Sequence, residues 1–183
     1  QSGTLTNGIR VVGKGANVTI NGGTVSRSDG QPAITGDGTY PQSTYYGGTT
    51  VTVNNGTIDG GTAAAIYNPQ SGSVTINGGT LTGGSSAIEM ERGSLTVNGG
   101  TITGAADGIL IDNALDRDTD GAMSVNITGG VITGTTGYAV RESVPAGASL
   151  RTSSVEISGG DFTGGTEGVI FSDQLLAAAS ANP

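Results

Sequence analysis

The chain has 183 residues, enough for one domain of ordinary size, and 35 of them are glycine, roughly a fifth against a usual share of about 7%. It contains no Cys, His or Trp, which excludes zinc fingers, haem and iron–sulfur ligation, disulfides, Ser-His-Asp triads and Cys nucleophiles. A net charge of −8 argues against a nucleic-acid partner, and no apolar run approaches the roughly 20 residues needed for membrane insertion.

An eight-residue phrase, Val-x-Ile-Asn-Gly-Gly-Thr-Ile or a close variant, recurs along the chain. Its six copies span residues 18–25, 51–58, 74–81, 95–102, 125–132 and 155–162, and a truncated copy opens the chain at Gly3. Each copy is followed by a small residue before an apolar one: Gly8-Ile9, Ala33-Ile34, Ala65-Ile66, Ala87-Ile88, Gly108-Ile109, Ala139-Val140 and Gly168-Val169. Such internal repetition is typical of solenoids.

Each repeat predicts three short strands: the Val-x-Ile phrase, the Thr-Ile-Thr phrase that follows it, and the Ala-Ile phrase. Apolar and polar residues alternate in each of them, which places one set of side chains inside and the other in water. The glycine pairs between strands favour tight bends. The shortest repeat, 21 residues from Val74 to Leu95, is one bare three-sided coil.

Strands of about three residues cannot form a sheet alone, but stacked coils let each strand pair with its equivalents above and below. The sequence therefore predicts an all-β, right-handed parallel β-helix with three short strands per coil and about six to seven coils. The first residues of the six phrases would form one internal ladder: Val18, Val51, Val74, Leu95, Val125 and Val155. A β-sandwich or propeller would need longer strands and hairpins.

The two ends of the chain carry separate predictions. Residues 1–171 are assigned to the β-helix. Residues 172–183 change to helix-forming composition, and we interpret them as a short C-terminal cap or a linker. The first coil begins part-way through a repeat, which suggests a domain cut from a longer chain or paired with another one.

Extra length falls after the third strand of a coil and before the next Val-x-Ile phrase. It comprises residues 37–50, 112–124 and 143–154, whereas the coils that begin at Val51 and Val74 have almost none. Loops that leave one edge of a solenoid generally form its working face. We therefore expect a saddle roughly 14 Å across, which is three rungs of about 4.8 Å.

Four of the five tyrosines are expected on one wall of this saddle. Tyr40, Tyr45 and Tyr46 lie in the first insertion, Tyr67 should point outward from a third strand, and Glu89 should face outward one rung away. Sugar faces stack on aromatic rings, and carboxylates accept hydrogen bonds from hydroxyl groups. These five residues form the predicted glycan site. The alternative is that the tyrosines only pack their own loop onto the coils.

The second insertion resembles the first half of an EF-hand calcium loop, with oxygen donors at alternate positions followed by Gly121. The bidentate Glu of such loops is missing, since Ile127 stands in its place. The predicted Ca²⁺ ligands are Asp112, Asp116, Asp118 and Asp120. A solvated acidic loop is the alternative.

Weaker patterns point to other chemistry. Outward Thr pairs such as Thr80/Thr82 and Thr101/Thr103 are similar to the arrays of ice-binding solenoids, although Thr is also a common exposed strand residue. A lyase would need a basic residue beside Ca²⁺, for which Arg117, Arg141 and Arg151 are candidates, and a hydrolase would need facing carboxylates, such as Glu89 and Asp112. None of these sets has a specific spacing, so we assign no catalytic residue.

The phrases at 74–83, Val-Thr-Ile-Asn-Gly-Gly-Thr-Leu-Thr-Gly, and at 60–68, Gly-Gly-Thr-Ala-Ala-Ala-Ile-Tyr-Asn, resemble those of right-handed β-helix regions of the pectate-lyase-like superfamily in secreted bacterial surface proteins. Residues 95–100 with Asp107-Gly108-Ile109 are also similar to a bacterial carbohydrate-binding β-helix family. The resemblance implies an adhesin or polysaccharide-binding module, with Ca²⁺ as a candidate cofactor. The long insertions depart from that family, so no family binding residue is carried over.

These observations predict a non-catalytic adhesin or carbohydrate-binding module, secreted or on a bacterial cell surface. Its partner would be a polysaccharide or a host or cell-surface glycan. The alternative is a stalk or spacer of a surface fibre without its own ligand. A polysaccharide lyase or hydrolase and an ice-binding protein are less favoured. The sequence leaves the oligomeric state open.

Overall fold

The computed structural model describes residues 3–13, 15–36, 48–115, 122–143, 149–150 and 153–170. All regular structure in these ranges is β-strand. The first eleven strands are β1 (Thr4–Leu5), β2 (Ile9–Val11), β3 (Asn17–Ile20), β4 (Thr24–Ser26), β5 (Ile34–Gly36), β6 (Thr50–Val53), β7 (Thr57–Asp59), β8 (Ile66–Asn68), β9 (Ser73–Ile76), β10 (Thr80–Gly83) and β11 (Ile88–Met90).

The second half of the chain continues the same succession of short strands. They are β12 (Ser94–Val97), β13 (Thr101–Gly104), β14 (Ile109–Asp112), β15 (Ala114–Leu115), β16 (Met123–Ile127), β17 (Val131–Gly134), β18 (Tyr138–Ser143), β19 (Ser149–Leu150), β20 (Ser153–Ile157), β21 (Asp161–Gly164) and β22 (Glu167–Ile170). A search of the described ranges for a helix long and apolar enough to cross a membrane finds none.

Three parallel sheets build the molecule. The first sheet has the order β3-β6-β9-β12-β16-β20, the second β1-β4-β7-β10-β13-β17-β21 and the third β2-β5-β8-β11-β14-β18-β22. The chain visits the sheets in turn, so that six complete coils follow the two strands of a partial one. The predicted right-handed parallel β-helix with three strands per coil is confirmed.

The register across coils aligns equivalent residues of the repeats. In the first sheet the predicted internal ladder from Val18 to Val155 is paired residue by residue. In the third sheet Ile66 and Ile109 lie on either side of Ile88. These apolar side chains fill the interior, and those of the central coils are fully buried. At the two ends Leu5 is 46% and Ile157 is 37% exposed, because no described rung covers them.

The corner between the first and second sheets requires glycine. The sixth residue of each repeat phrase is a glycine with positive φ, for example 105° at Gly56 and 88° at Gly79. A Cβ atom on Gly79 would lie 2.7 Å from the carbonyl oxygen of Gly56, one coil below. That oxygen also accepts a hydrogen bond from the amide of Thr80 at 2.8 Å. Backbone conformation and close stacking thus both exclude a side chain here.

An asparagine ladder, which we did not predict, follows the same corner. The amide nitrogens of Asn54, Asn77 and Asn98 each donate to the side-chain oxygen of the asparagine one coil earlier, at 2.7–2.8 Å. Thr128 donates its hydroxyl to Asn98 at 3.0 Å and continues the line. Stacked amides of this kind stabilise ladders of identical strands. Because the repeat unit carries Asn at this position in four successive copies, the ladder is visible in the sequence.

The second and third insertions contact each other outside the coils. Strand β15 pairs with β19 in antiparallel orientation, with Ala114 opposite Leu150. This pair is the one antiparallel contact among the described strands, and repeat analysis did not predict it. Several predicted segments lie outside the described residues: most of the first insertion, residues 116–121 of the second, residues 144–148 and 151–152 of the third, and the predicted cap at 172–183.

Candidate functional site

The outer face of the third sheet brings together two residues of the predicted glycan site. Tyr67 on β8 and Glu89 on β11 are register partners on adjacent rungs. Both side chains point away from the core and are partly exposed, because their neighbours Ile66 and Ile88 take the inward positions. The alternation of strand residues therefore places an aromatic ring beside a carboxylate on the molecular surface.

Glu91 is a third member of this face, and sequence reasoning missed it. Its carboxylate accepts a hydrogen bond from the hydroxyl group of Tyr67. Burial and this bond to a carboxylate raise the pKa of Tyr67 far above its ordinary value, so the phenol remains protonated. The hydrogen bond fixes the direction of the ring. Strand alternation gave no signal for it, because Glu91 lies one residue beyond the end of β11 at Met90.

Buried amides below Tyr67 hold this part of the sheet in place. Asn68 points inward and donates to the carbonyl oxygens of Gln70 and Arg92, each at 2.9 Å. Gln70 donates to the side-chain oxygen of Asn68 at 2.8 Å and to the hydroxyl of Thr49. Since Arg92 follows Glu91 in the chain, this network joins the coil that carries Tyr67 to the coil that carries its carboxylate partner. Satisfied buried networks of this kind rigidify a site.

Two carboxylates, those of Glu91 and Asp112, act on the charge of Glu89. Partial burial raises its pKa, and the charges of Glu91 and Asp112 raise it further. Asp112 ends β14, the next strand of the same sheet. Ionised carboxylates repel one another, and removal from water disfavours the charged form. The outer face of the third sheet is therefore acidic at the point where Tyr67 exposes its ring.

Replacing Glu89 with glutamine is expected to stabilise the fold slightly at neutral pH. Because the pKa of Glu89 is raised in the folded chain, its ionisation costs folding free energy as pH rises through the unfolded and folded values. The variant should gain about 0.5 kcal/mol or less relative to the parent at pH 7, and the gain should vanish at pH 3. Urea denaturation at both pH values measures it. A gain that does not grow with pH would contradict the raised pKa.

A matched variant separates this effect from net charge. Glu156 is exposed on β20 of the first sheet, away from the acidic face. Glu156→Gln removes the same charge, and its stability change between pH 3 and pH 7 gives the contribution of overall repulsion. The stability gain of Glu89→Gln between pH 3 and pH 7 should be larger than that of Glu156→Gln.

Arg141 lies next to Leu110 on the outer face of the third sheet. Its guanidinium group forms an ion pair with Asp107. Its Nε and Nη2 atoms lie 2.8 Å from Oδ2 of Asp107, which is almost completely buried, and Oδ1 of Asp107 accepts the amide of Tyr138 at 2.9 Å. This pair closes the bend that leads into the third sheet. The lyase hypothesis named Arg141 as a candidate base. In the structure its guanidinium group is bound to Asp107 and stabilises the fold.

Asp112 was also a predicted calcium ligand. Its neighbour Asn113 donates to Glu142 at 2.6 Å and to Ser153 at 3.1 Å, and this buried group joins the bases of the second and third insertions. Among the described residues, no group of three or more acidic side chains has an arrangement that could hold a metal ion. The remaining predicted ligands, Asp116, Asp118 and Asp120, lie outside the described residues. Calcium binding therefore stays a prediction.

Other predicted residues also fall outside the described ranges. They are the three tyrosines of the first insertion, Tyr40, Tyr45 and Tyr46, and the two arginines Arg117 and Arg151. The structure thus brings together Tyr67, Glu89 and Asp112 on one face, while the saddle wall above them stays a prediction.

Threonines follow the outer positions of two sheets. In the second sheet Thr80 pairs with Thr101 and Thr82 with Thr103, as the ice-binding hypothesis required. Asp59 pairs with Thr82 at the other side and interrupts the array. The first sheet carries a similar outer column through Thr52, Thr75 and Thr96. Threonine is therefore common at exposed strand positions throughout this solenoid, and it does not single out one face.

Comparison of the chain with models of protein families, with curated proteins and with solved structures finds no match. The β-helix fold is established by its strands and register. The resemblance to the pectate-lyase-like superfamily remains an expectation from the repeat phrases.

Proposed function

We propose that this β-helix is an extracellular glycan-binding module that performs no chemistry and binds through the outer face of its third sheet. The observation that carries the proposal is the pairing of Tyr67 with Glu89 on adjacent rungs, with the ring held by Glu91. An oriented, partly exposed ring offers a stacking surface for the apolar face of a sugar. The adjacent carboxylates accept hydrogen bonds from its hydroxyl groups.

The rigidity of the sheet favours this use. Tyr67 stands on a strand that is hydrogen-bonded to neighbours on both sides, so little conformational entropy is lost when a ligand orders it. The repeat phrases, with their resemblance to carbohydrate-binding β-helices, point to the same ligand class. The proposed setting is a secreted or surface-attached bacterial protein, and the proposed partner is a polysaccharide or a host or cell-surface glycan.

The insertions are proposed to extend this face. Tyr40, Tyr45 and Tyr46 would add stacking surface, and the acidic loop of the second insertion would bind Ca²⁺ beside the sugar. A glycan array run in parallel with Ca²⁺ and with EDTA tests both parts. Binding that EDTA abolishes supports the metal, and binding that is indifferent to EDTA removes Ca²⁺ from the proposal.

Replacing Tyr67 with alanine is expected to weaken glycan binding about tenfold or more, because loss of one stacked ring costs roughly 1.4 kcal/mol or more. Tyr67→Phe should lose much less, since it keeps the ring and removes only the hydrogen bond to Glu91. Isothermal titration with the best glycan of the array measures both. Unchanged affinity for Tyr67→Ala would place the site elsewhere.

A structural stalk is the second candidate, and one observation favours it. The asparagine ladder and the glycine corner run from coil to coil with the same geometry, which is what a spacer requires. A stalk needs no ligand. The chain is first shown to be folded by circular dichroism. If it then binds no glycan on the array, with Ca²⁺ or with EDTA, the result favours the stalk over the glycan-binding module.

A further inference from the structure

We infer that Asn55 is a self-modification site, at which the backbone nitrogen of Gly56 displaces the side-chain amide of Asn55. A bond forms between the Gly56 nitrogen and Cγ of Asn55, and the bond between Cγ and Nδ2 breaks. The Gly56 amide proton leaves with the Nδ2 group as ammonia. Water then opens the five-membered succinimide ring and leaves aspartate or isoaspartate at position 55. This modification is independent of the proposed glycan binding.

The second repeat phrase differs from its neighbours at the corner where Asn55 lies. Three other phrases have Asn-Gly-Gly here, whereas the second reads Asn54-Asn55-Gly56. Asn54 takes the ladder position, so Asn55 stands where those phrases have their first glycine. The side chain of Asn55 is exposed, and water, which the second step consumes, therefore has access to it. One further Asn-Gly pair, Asn7-Gly8, lies between β1 and β2, outside the ladder.

The geometry at Asn55 brings the reacting groups together. The backbone amide of Gly56 donates a hydrogen bond to Oδ1 of Asn55 at 2.8 Å. Because Oδ1 is bonded to Cγ, this contact holds the Gly56 nitrogen beside the carbon that it attacks. Glycine has no Cβ to obstruct the approach. Reactants that are already positioned lose less entropy on the way to the transition state, so the reaction is accelerated.

The ladder asparagines are also followed by glycine, but their amides are bound elsewhere. Asn77 donates to Asn54 at 2.7 Å and accepts from Asn98 at 2.8 Å. Asn98 also has a partner on each side, since it accepts from Thr128 at 3.0 Å. Either side chain must break two hydrogen bonds to turn toward its own glycine, and each bond slows the reaction about two- to tenfold. Asn21 accepts one ladder bond, from Asn54, and should react at an intermediate rate.

The products change the corner in two ways. Aspartate adds a negative charge, and isoaspartate also adds one carbon to the backbone between residues 55 and 56. The coils are closely stacked at this point, because the amide of Thr57 donates to the carbonyl oxygen of Gly23 at 2.8 Å. Isoaspartate therefore disturbs a ladder hydrogen bond and is expected to destabilise the stack.

The test follows deamidation of the folded chain by peptide mass spectrometry during incubation at pH 6 and at pH 8. Asn55 should convert at least about tenfold faster than Asn77 and Asn98. Asn7, which lies outside the ladder, should convert more slowly than Asn55, because only Asn55 has the contact with the following amide described above. Conversion should be faster at pH 8, since attack requires loss of the Gly56 amide proton. In urea, which unfolds the coils, all of these sites should convert at similar rates.

A matched variant moves the Asn-Gly pair by one residue. Asn55→Gly restores the phrase of the neighbouring coils and places the Asn-Gly pair at the ladder residue Asn54. Deamidation at this corner should then fall to the rate of Asn77. Asn98→Ala removes the hydrogen bond that Asn77 accepts and should accelerate conversion of Asn77 about two- to tenfold. Circular dichroism confirms that both variants are folded.

Three results would overturn the inference. Equal rates at Asn55 and at the ladder asparagines of the folded chain would mean that the ladder does not protect. Conversion of Asn55 in urea but not in the folded chain would mean that the corner prevents the attack. Undiminished deamidation at Asn54 in Asn55→Gly would mean that the dipeptide alone, and not its place in the fold, decides the rate.

Discussion

Replacing Ile88 with alanine is expected to lower the free energy of unfolding by about 2–5 kcal/mol. Ile88 is fully buried in the middle of the third sheet. It stacks between Ile66 and Ile109, its register partners one coil away on each side. The backbone ladders fix the distance between these coils, so the neighbours cannot move inward to fill the space left by the shorter side chain. Chemical denaturation followed by far-ultraviolet circular dichroism measures the loss.

Two further variants test whether the cavity is the cause. Ile88→Val removes one methyl group and should cost about 0.5–1.5 kcal/mol. Ile9 stands in the same internal column at the first described rung, where it is only partly buried. Ile9→Ala should therefore cost less than Ile88→Ala. Equal losses at the two positions would contradict the account, because burial and stacking on both sides would then have no effect on the cost.

Alternation and repetition together made the fold predictable. Inward positions could be assigned because the direction of side chains along a strand repeats every two residues. The opposite assignment would have buried Thr instead of Ile. Register could be assigned because every coil carries the same phrase. Coils of 33 and 21 residues still align Val51 with Val18 and Leu95 with Val74, since the extra residues all leave at one corner. The same logic placed Tyr67 beside Glu89.

The rest of the site depends on contacts that no repeat specifies. Glu91 comes after the end of β11, where alternation no longer fixes the direction of a side chain, and its bond to Tyr67 depends on the bend that follows. Asp107 and Arg141 are 34 residues apart and occupy different positions in their coils. The pairing of β15 with β19 joins two insertions that share no sequence pattern. Each feature depends on the path of the chain between repeats.

Replacing Gly56 with alanine is expected to cost about 2–6 kcal/mol, because two penalties add. Gly56 has a φ of 105°, and a residue with a side chain held in such a conformation costs about 1–3 kcal/mol. Its new Cβ would also lie 2.7 Å from the carbonyl oxygen of Gly23 and 3.0 Å from the carbonyl carbon of Gly22. The Gly23 oxygen accepts the amide of Thr57 at 2.8 Å. The coils must therefore separate at a ladder hydrogen bond, which adds an overpacking cost of about 1–3 kcal/mol.

Gly13 provides the control that separates these two penalties. Its φ of 104° matches that of Gly56, but a Cβ there would have no atom within 4 Å. Gly13→Ala should therefore show the conformational cost alone, about 1–3 kcal/mol. The two variants are compared by chemical denaturation. The extra loss of unfolding free energy in Gly56→Ala measures the cost of the close contact between coils at this corner. If both variants lose the same stability, the coils separate at no cost, and glycine is required at the corner only by its backbone conformation.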